Sequence, residues 1–93
     1  MTNITIVVTH RNTSRNAVSY EFTGVVLVNG IKIGEIAGRG YQDQDVNRQA
    51  LELLASNGYN FACKPYYFGR FCRENGFEYH LFNTEVCRKK DML

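Results

Sequence analysis

Cys63, Cys72, His80 and Cys87 are the residues of this chain best suited to ligate a metal or form a covalent bond. Together they could offer a Cys3His set to zinc. No two of them stand in the close Cys-x2-Cys spacing that makes such a signal specific, and cysteines serving as small apolar core residues are the commoner case. The expectation is therefore no metal site. A thiolate nucleophile, with Cys72 or Cys87 beside His80 or His10, would need an electropositive, partly exposed setting. No segment marks one, and the local signatures of cysteine enzymes are absent. Nor does the chain carry a P-loop, a clustered serine–histidine–carboxylate set or paired catalytic carboxylates. Gly38-Arg39-Gly40 stands ahead of a helix, where backbone N–H groups can hold phosphate, yet Asp43 and Asp45 follow and put acid where the phosphate would sit. That corner reads as a flexible turn. The sequence thus predicts a non-enzyme with no catalytic residue and no cofactor.

A second pattern carries more weight. Lys64, Tyr66, Tyr67, Phe68, Arg70, Phe71 and Arg73 interleave aromatic rings with cations, and Arg88, Lys89 and Lys90 follow. Rings that stack bases beside cations that meet phosphates are the equipment of single-strand binders. Tyrosine and arginine also dominate the hot spots of protein interfaces. The plain alternative makes Tyr67, Phe68 and Phe71 core residues and the arginines a solvated rim. On the binding reading, the partner-contacting residues are Arg11, Arg15, Lys64, Tyr66, Tyr67, Arg70, Arg73, Arg88, Lys89 and Lys90.

The elements that would hold these residues are legible in part. Val25 to Gly58 reads as hairpin, glycine corner, helix and stop. Asn29-Gly30 lies between two β-branched runs and suits a two-residue type I′ turn, where both residues take positive φ, so Val28 should face Ile31. Asp43 or Asp45 can cap the helix that follows. Val46, Ala50, Leu53 and Leu54 give it one apolar stripe, and Asn57-Gly58 stops it. Upstream, Thr2 to His10 alternates as a strand with Ile4, Ile6 and Val8 on one face. Arg11 to Ala17 is a polar loop. Val18 to Val28 is a long strand in which Gly24 suggests a bulge or bend.

Downstream, Tyr59 to Lys64 is expected to form another strand. Pro65 to Asn75 admits two readings. As a short helix it places Pro65 where the missing N–H costs nothing. As a strand it turns at Asn75-Gly76 and sets Arg73 across from Glu78. The helix is the preferred reading. Phe77 to Phe82 is a strand either way, and the basic tail of residues 84–93 stands outside the folded unit of residues 1–83. The predicted class is α+β: an antiparallel meander sheet with one main helix packed on one face and a second short helix.

Ninety-three residues make a single domain that leaves little room for a deep catalytic pocket, and the net charge of +2 is too small to be a nucleic-acid footprint. No apolar run approaches the ~18 residues of a membrane span, and the N-terminus lacks the regions of a signal peptide. Three cysteines, an odd number, fit free thiols in a reducing cytoplasm. The edge of the Ile4–Val8 strand could pair two copies into a dimer.

Two family resemblances add to this reading. Residues Ile6 to Leu54, with a loop ending Arg15-Asn16-Ala17-Val18-Ser19-Tyr20-Glu21, a hairpin and an alanine/leucine helix, resemble the β-β-β-α layout of small phage-encoded anti-CRISPR proteins that inhibit type I systems. That resemblance implies a stoichiometric inhibitor that sits on a bacterial defence complex, CRISPR-Cas among them, in the host cytoplasm. The order strand, strand, strand, glycine corner, helix, with Gly38, Gly40 and Ala50-Leu51-x-Leu53-Leu54, also looks like the second half of a double-stranded-RNA-binding domain. There, Asp43-Gln44-Asp45 replaces the lysine pair that meets phosphate, so this likeness implies the layout more than the contact. A small nucleic-acid binder is the alternative expectation.

Overall fold

The computed structural model describes residues 2–12, 20–40 and 42–86. Strands β1 (Asn3–Asn12), β2 (Tyr20–Val28) and β3 (Ile31–Arg39) lead into helix α1 (Asp43–Ser56). A 3-10 turn (Pro65–Tyr67), helix α2 (Phe68–Glu74) and strand β4 (Glu78–Val86) complete the order. The sheet runs β3-β2-β1-β4. The predicted α+β class is what the chain adopts, with the first three strands as an antiparallel meander and two helices.

Two departures from the sequence reading have one cause. β4 pairs with β1 in parallel, Ile4 against Tyr79 and Ile6 against Leu81. β1 is therefore an interior strand, and among the described residues β3 and β4 are the edge strands. A strand that runs with β1 also runs with β3, and parallel strands need a long helical crossover to bring the chain back to its starting end. Residues 40–77 are that crossover. Tyr59 to Lys64 accordingly forms no strand but an irregular link within it. Its Phe61 ring stands 5.7 Å from Phe68, 5.7 Å from Phe71 and 5.6 Å from Phe77, so the segment joins the fold through side-chain packing. β4 also continues past Phe82 to Val86.

Alternation decides which face is covered. Ile4, Ile6 and Val8 of β1, Phe22, Val26 and Val28 of β2, and Ile36 of β3 are buried with Val46, Ala50 and Leu54 of α1 and Phe68 and Cys72 of α2, and His10 is buried beside Phe22. Burying a side chain of this size contributes roughly 1.5–3 kcal/mol, and the core is one continuous cluster. The opposite face carries no helix among the described residues. The hairpin register is the expected one, with Val28 against Ile31 and positive φ at Asn29 and Gly30.

The bulge lies elsewhere than Gly24. It falls between Val26 and Leu27, while Gly24 pairs regularly with Val8 and Ile36. What requires glycine at 24 is proximity: an added Cβ would run into the Val7 carbonyl oxygen and lie 3.0 Å from Val8 Cα.

Both helices end by the same device. After α1, Gly58 has φ +88°, its N–H donates to the Ala55 carbonyl, and the Tyr59 N–H donates to that of Leu54. After α2, Gly76 has φ +77°, its N–H donates to Arg73, and the Phe77 N–H donates to Cys72. This is the Schellman pattern, which satisfies carbonyls the helix leaves over. In each case the preceding asparagine donates its Nδ2 to the carbonyl four residues back, Asn57 to Leu53 and Asn75 to Phe71. Asn75-Gly76 is thus a helix stop, and the helical reading of Pro65 to Asn75 holds. At the other end of α1 the cap is Gln42, whose N–H donates to the Asp45 carboxylate at 3.2 Å, with Asp43 as the first helical residue.

Candidate functional site

The helical side of the molecule is organised by a buried asparagine. Val46, Ala50 and Leu54 recur at helical spacing, and the same stripe carries Asn47, which is buried with them. A buried amide needs partners. Asn47 Nδ2 donates to the Pro65 carbonyl at 3.2 Å, and its Oδ1 accepts from the Tyr79 hydroxyl at 2.6 Å. One side chain thereby ties α1 to the 3-10 turn and to β4. Phe68 completes the join from α2, its ring 5.2 Å from that of Tyr79 and edge-on to it. Sequence reasoning passed over Asn47, because a polar residue beside an apolar stripe ordinarily marks the stripe's boundary.

This pin sets the 3-10 turn and α2 so that their outer side chains form a ridge. Tyr66 is 71% exposed and Tyr67 48%, with ring centroids 5.1 Å apart at 79°. Arg70, one turn on, donates from Nε to the Glu74 carboxylate at 3.1 Å. On one flank a groove of about 380 Å³ has Asn47 and Tyr79 as its covered part and Asp43, Tyr66, Arg70 and Arg73 around it. On the other a groove of about 320 Å³ runs past Cys63, Lys64, Phe71 and Glu74. Tyr67 and Arg70 line both.

Of the residues singled out from sequence, Lys64, Tyr66, Tyr67, Arg70 and Arg73 therefore come together. Phe68 is buried and Phe71 half-buried, so the core reading is right for those two rings. Arg11 does not join them. It follows the inward-facing His10 on β1 and so lies on the uncovered face of the sheet, beside Glu21 and Thr23. Arg15, Arg88, Lys89 and Lys90 lie outside the described residues.

The candidate chemistry of the thiols is separated by the sheet. Cys72 is buried on the helical side, whereas His80 is exposed on the other face, stacked on Phe82 with ring centroids 6.2 Å apart. Cys87 lies outside the described residues, among which no three His, Cys, Asp or Glu side chains converge as a metal site. Burial pushes the Cys72 thiol up to about 11, with Cys63 nearby adding to the rise. Burial also raises Cys63. Both thiols are held protonated at neutral pH, opposite to an activated cysteine.

Burial likewise pushes the Tyr79 hydroxyl up to about 12. For such groups the stability is complete below the unfolded pKa and is lost as pH rises through the folded one. Thermal stability is expected to fall between pH 9.0, the ordinary thiol value, and about 12. Tyr79→Phe has no hydroxyl to ionise and should flatten the upper part of that fall. Identical alkaline profiles for the two proteins would contradict this assignment.

No helix is long and apolar enough to cross a membrane among the described residues. No protein-family model, curated protein or solved structure matches the chain.

Proposed function

We propose that the protein is a non-catalytic binding protein that engages a protein partner through the Tyr66–Tyr67–Arg70 ridge, with Lys64 and Arg73 on its flanks. The observation that carries this reading is the ridge itself: two tyrosines stand exposed on a turn pinned from beneath by Asn47. Exposed tyrosine and arginine on a rigid support are the common anchors of protein interfaces. The charge pattern favours protein over nucleic acid. Asp43 and Glu74 line the same grooves as Arg70, and a polyanion laid there would meet carboxylates, whereas a partner protein can answer both signs. In its most specific form the reading is stoichiometric inhibition of a bacterial defence complex, supported by the resemblance to type I anti-CRISPR proteins.

The test is the double charge reversal Arg70→Glu, Arg73→Glu. Both residues are exposed, and the Arg70–Glu74 pair contributes at most about 1 kcal/mol, so the variant is expected to keep the parent melting curve while losing partner binding. Normal binding by the variant would remove the ridge from the interface. Salt dependence separates the two partner classes: a steep linear loss of log affinity with log salt is the signature of phosphate neutralisation, and a shallow response is expected here.

A further inference from the structure

The two edge strands of the sheet, β3 and β4, are unlike. β3 carries a bulge opposite Val26 and Leu27, the Lys32–Glu35 ion pair at 2.8 Å and Arg39 near Glu21 at 3.8 Å. Bulges and charged side chains are how proteins keep an edge from pairing. β4 has neither bulge, glycine nor proline through its nine residues, and among the described residues no strand covers its outer side. The polarity of that edge follows from one bond. The Glu78 N–H donates to the Thr2 carbonyl at 2.9 Å, so the backbone groups of residue 78 face β1. Alternation then turns those of His80, Phe82 and Thr84 toward β1 and those of Tyr79, Leu81 and Asn83 outward.

We propose that two copies of this chain pair through these edges, antiparallel, with Phe82 on the twofold axis. Such an axis sets Leu81 opposite Asn83 of the second copy, both with outward N–H and C=O groups, so the two exchange ladder bonds reciprocally. Phe82 meets itself at a non-hydrogen-bonded position, where side chains approach closest and an aromatic pair contributes most. Its ring is 57% exposed and already stacked on His80, and its β1 neighbour Val7 is an exposed apolar residue on the same open face. His80 falls opposite Thr84. Glu78 falls opposite position 86. This self-matching register selects a second copy over a foreign strand. The result is one eight-stranded sheet with both sets of helices on the same side.

Sedimentation of the full chain from micromolar to sub-millimolar concentration should show twice the chain mass. Asn83→Pro removes one outward N–H, at a position where an edge strand tolerates proline, and is expected to give a monomer with native circular dichroism. Phe82→Lys sets two cations on the axis and should do the same without touching the backbone. In a Cys87→Ser background, Phe82→Cys should form a disulfide-linked dimer under mild oxidation, whereas Thr84→Cys, which faces His80, should not. A wild-type chain that stays monomeric throughout that range would overturn the proposal. So would a dimer that survives both Asn83→Pro and Phe82→Lys, or equal cross-linking at 82 and 84.

Discussion

Asn47→Leu is expected to destabilise the protein by about 1–3 kcal/mol, the cost of a buried polar group left unpaired. The group concerned is the Tyr79 hydroxyl, which donates to Asn47 in the native structure, whereas the Pro65 carbonyl keeps the Phe68 N–H as a partner. For a domain of this size the melting temperature moves by about 4–8 °C per kcal/mol, so the loss is readily measured. Leucine roughly matches asparagine in length, which keeps the effect polar rather than a matter of cavity. The companion variant Tyr79→Phe removes the orphaned hydroxyl. The double variant should therefore melt above the value expected from adding the single losses. Strict additivity in that cycle would mean that the Asn47–Tyr79 bond carries no energy of its own.

Gly24→Ala is the second large effect, expected at about 3 kcal/mol, the upper part of the usual range for overpacking. The new methyl would meet backbone, namely the Val7 carbonyl and Val8 Cα, and a strand cannot rotate out of the way as a side chain can. Gly58→Ala is the useful comparison. Gly58 has φ +88° and nothing within 4 Å of an added Cβ, so its loss is confined to backbone strain of roughly 1–2 kcal/mol. Gly24→Ala should thus be the worse substitution although Gly24 is not among the positive-φ residues. The reverse order in chemical denaturation would show that β1 and β2 do not approach as closely as described.

Local signals were legible in the sequence wherever one residue type answers one local need. The pair Asn-Gly appears at 29–30, 57–58 and 75–76, and each time it supplies positive φ. Sequence alone separates its uses poorly, because a type I′ turn and a helix stop both ask for that backbone. Flanking residues decide: β-branched runs on both sides of Asn29-Gly30 give a hairpin, whereas Asn75-Gly76 follows Phe68–Glu74 and ends a helix. The α1 stripe was likewise readable, except for Asn47, whose partners lie 18 and 32 residues away.

The parallel pairing of β1 with β4 was not legible. Nothing in Ile4 to Val8 states whether a strand lies on one side or both, and the buried inner face reads the same at an edge as in the middle. The parallel partner comes from residues 78–86, across a crossover that no local pattern announces. The same applies to the site. The aromatic–basic cluster is visible as composition, but which rings turn inward is settled by Phe61, whose contacts with Phe68, Phe71 and Phe77 draw those rings together. The exposed ridge of Tyr66 and Tyr67 is what remains.

The most direct test of the proposed binding function is a tagged pull-down from bacterial lysate, with and without nuclease, comparing the wild type with Arg70→Glu, Arg73→Glu by quantitative mass spectrometry. The account predicts a defined protein complex recovered in stoichiometric amount by the wild type, retained after nuclease and lost with the double variant. Recovery of nucleic acid alone, or of proteins that disappear on nuclease treatment, would contradict it. Equal recovery by the two proteins would contradict the assignment of the ridge.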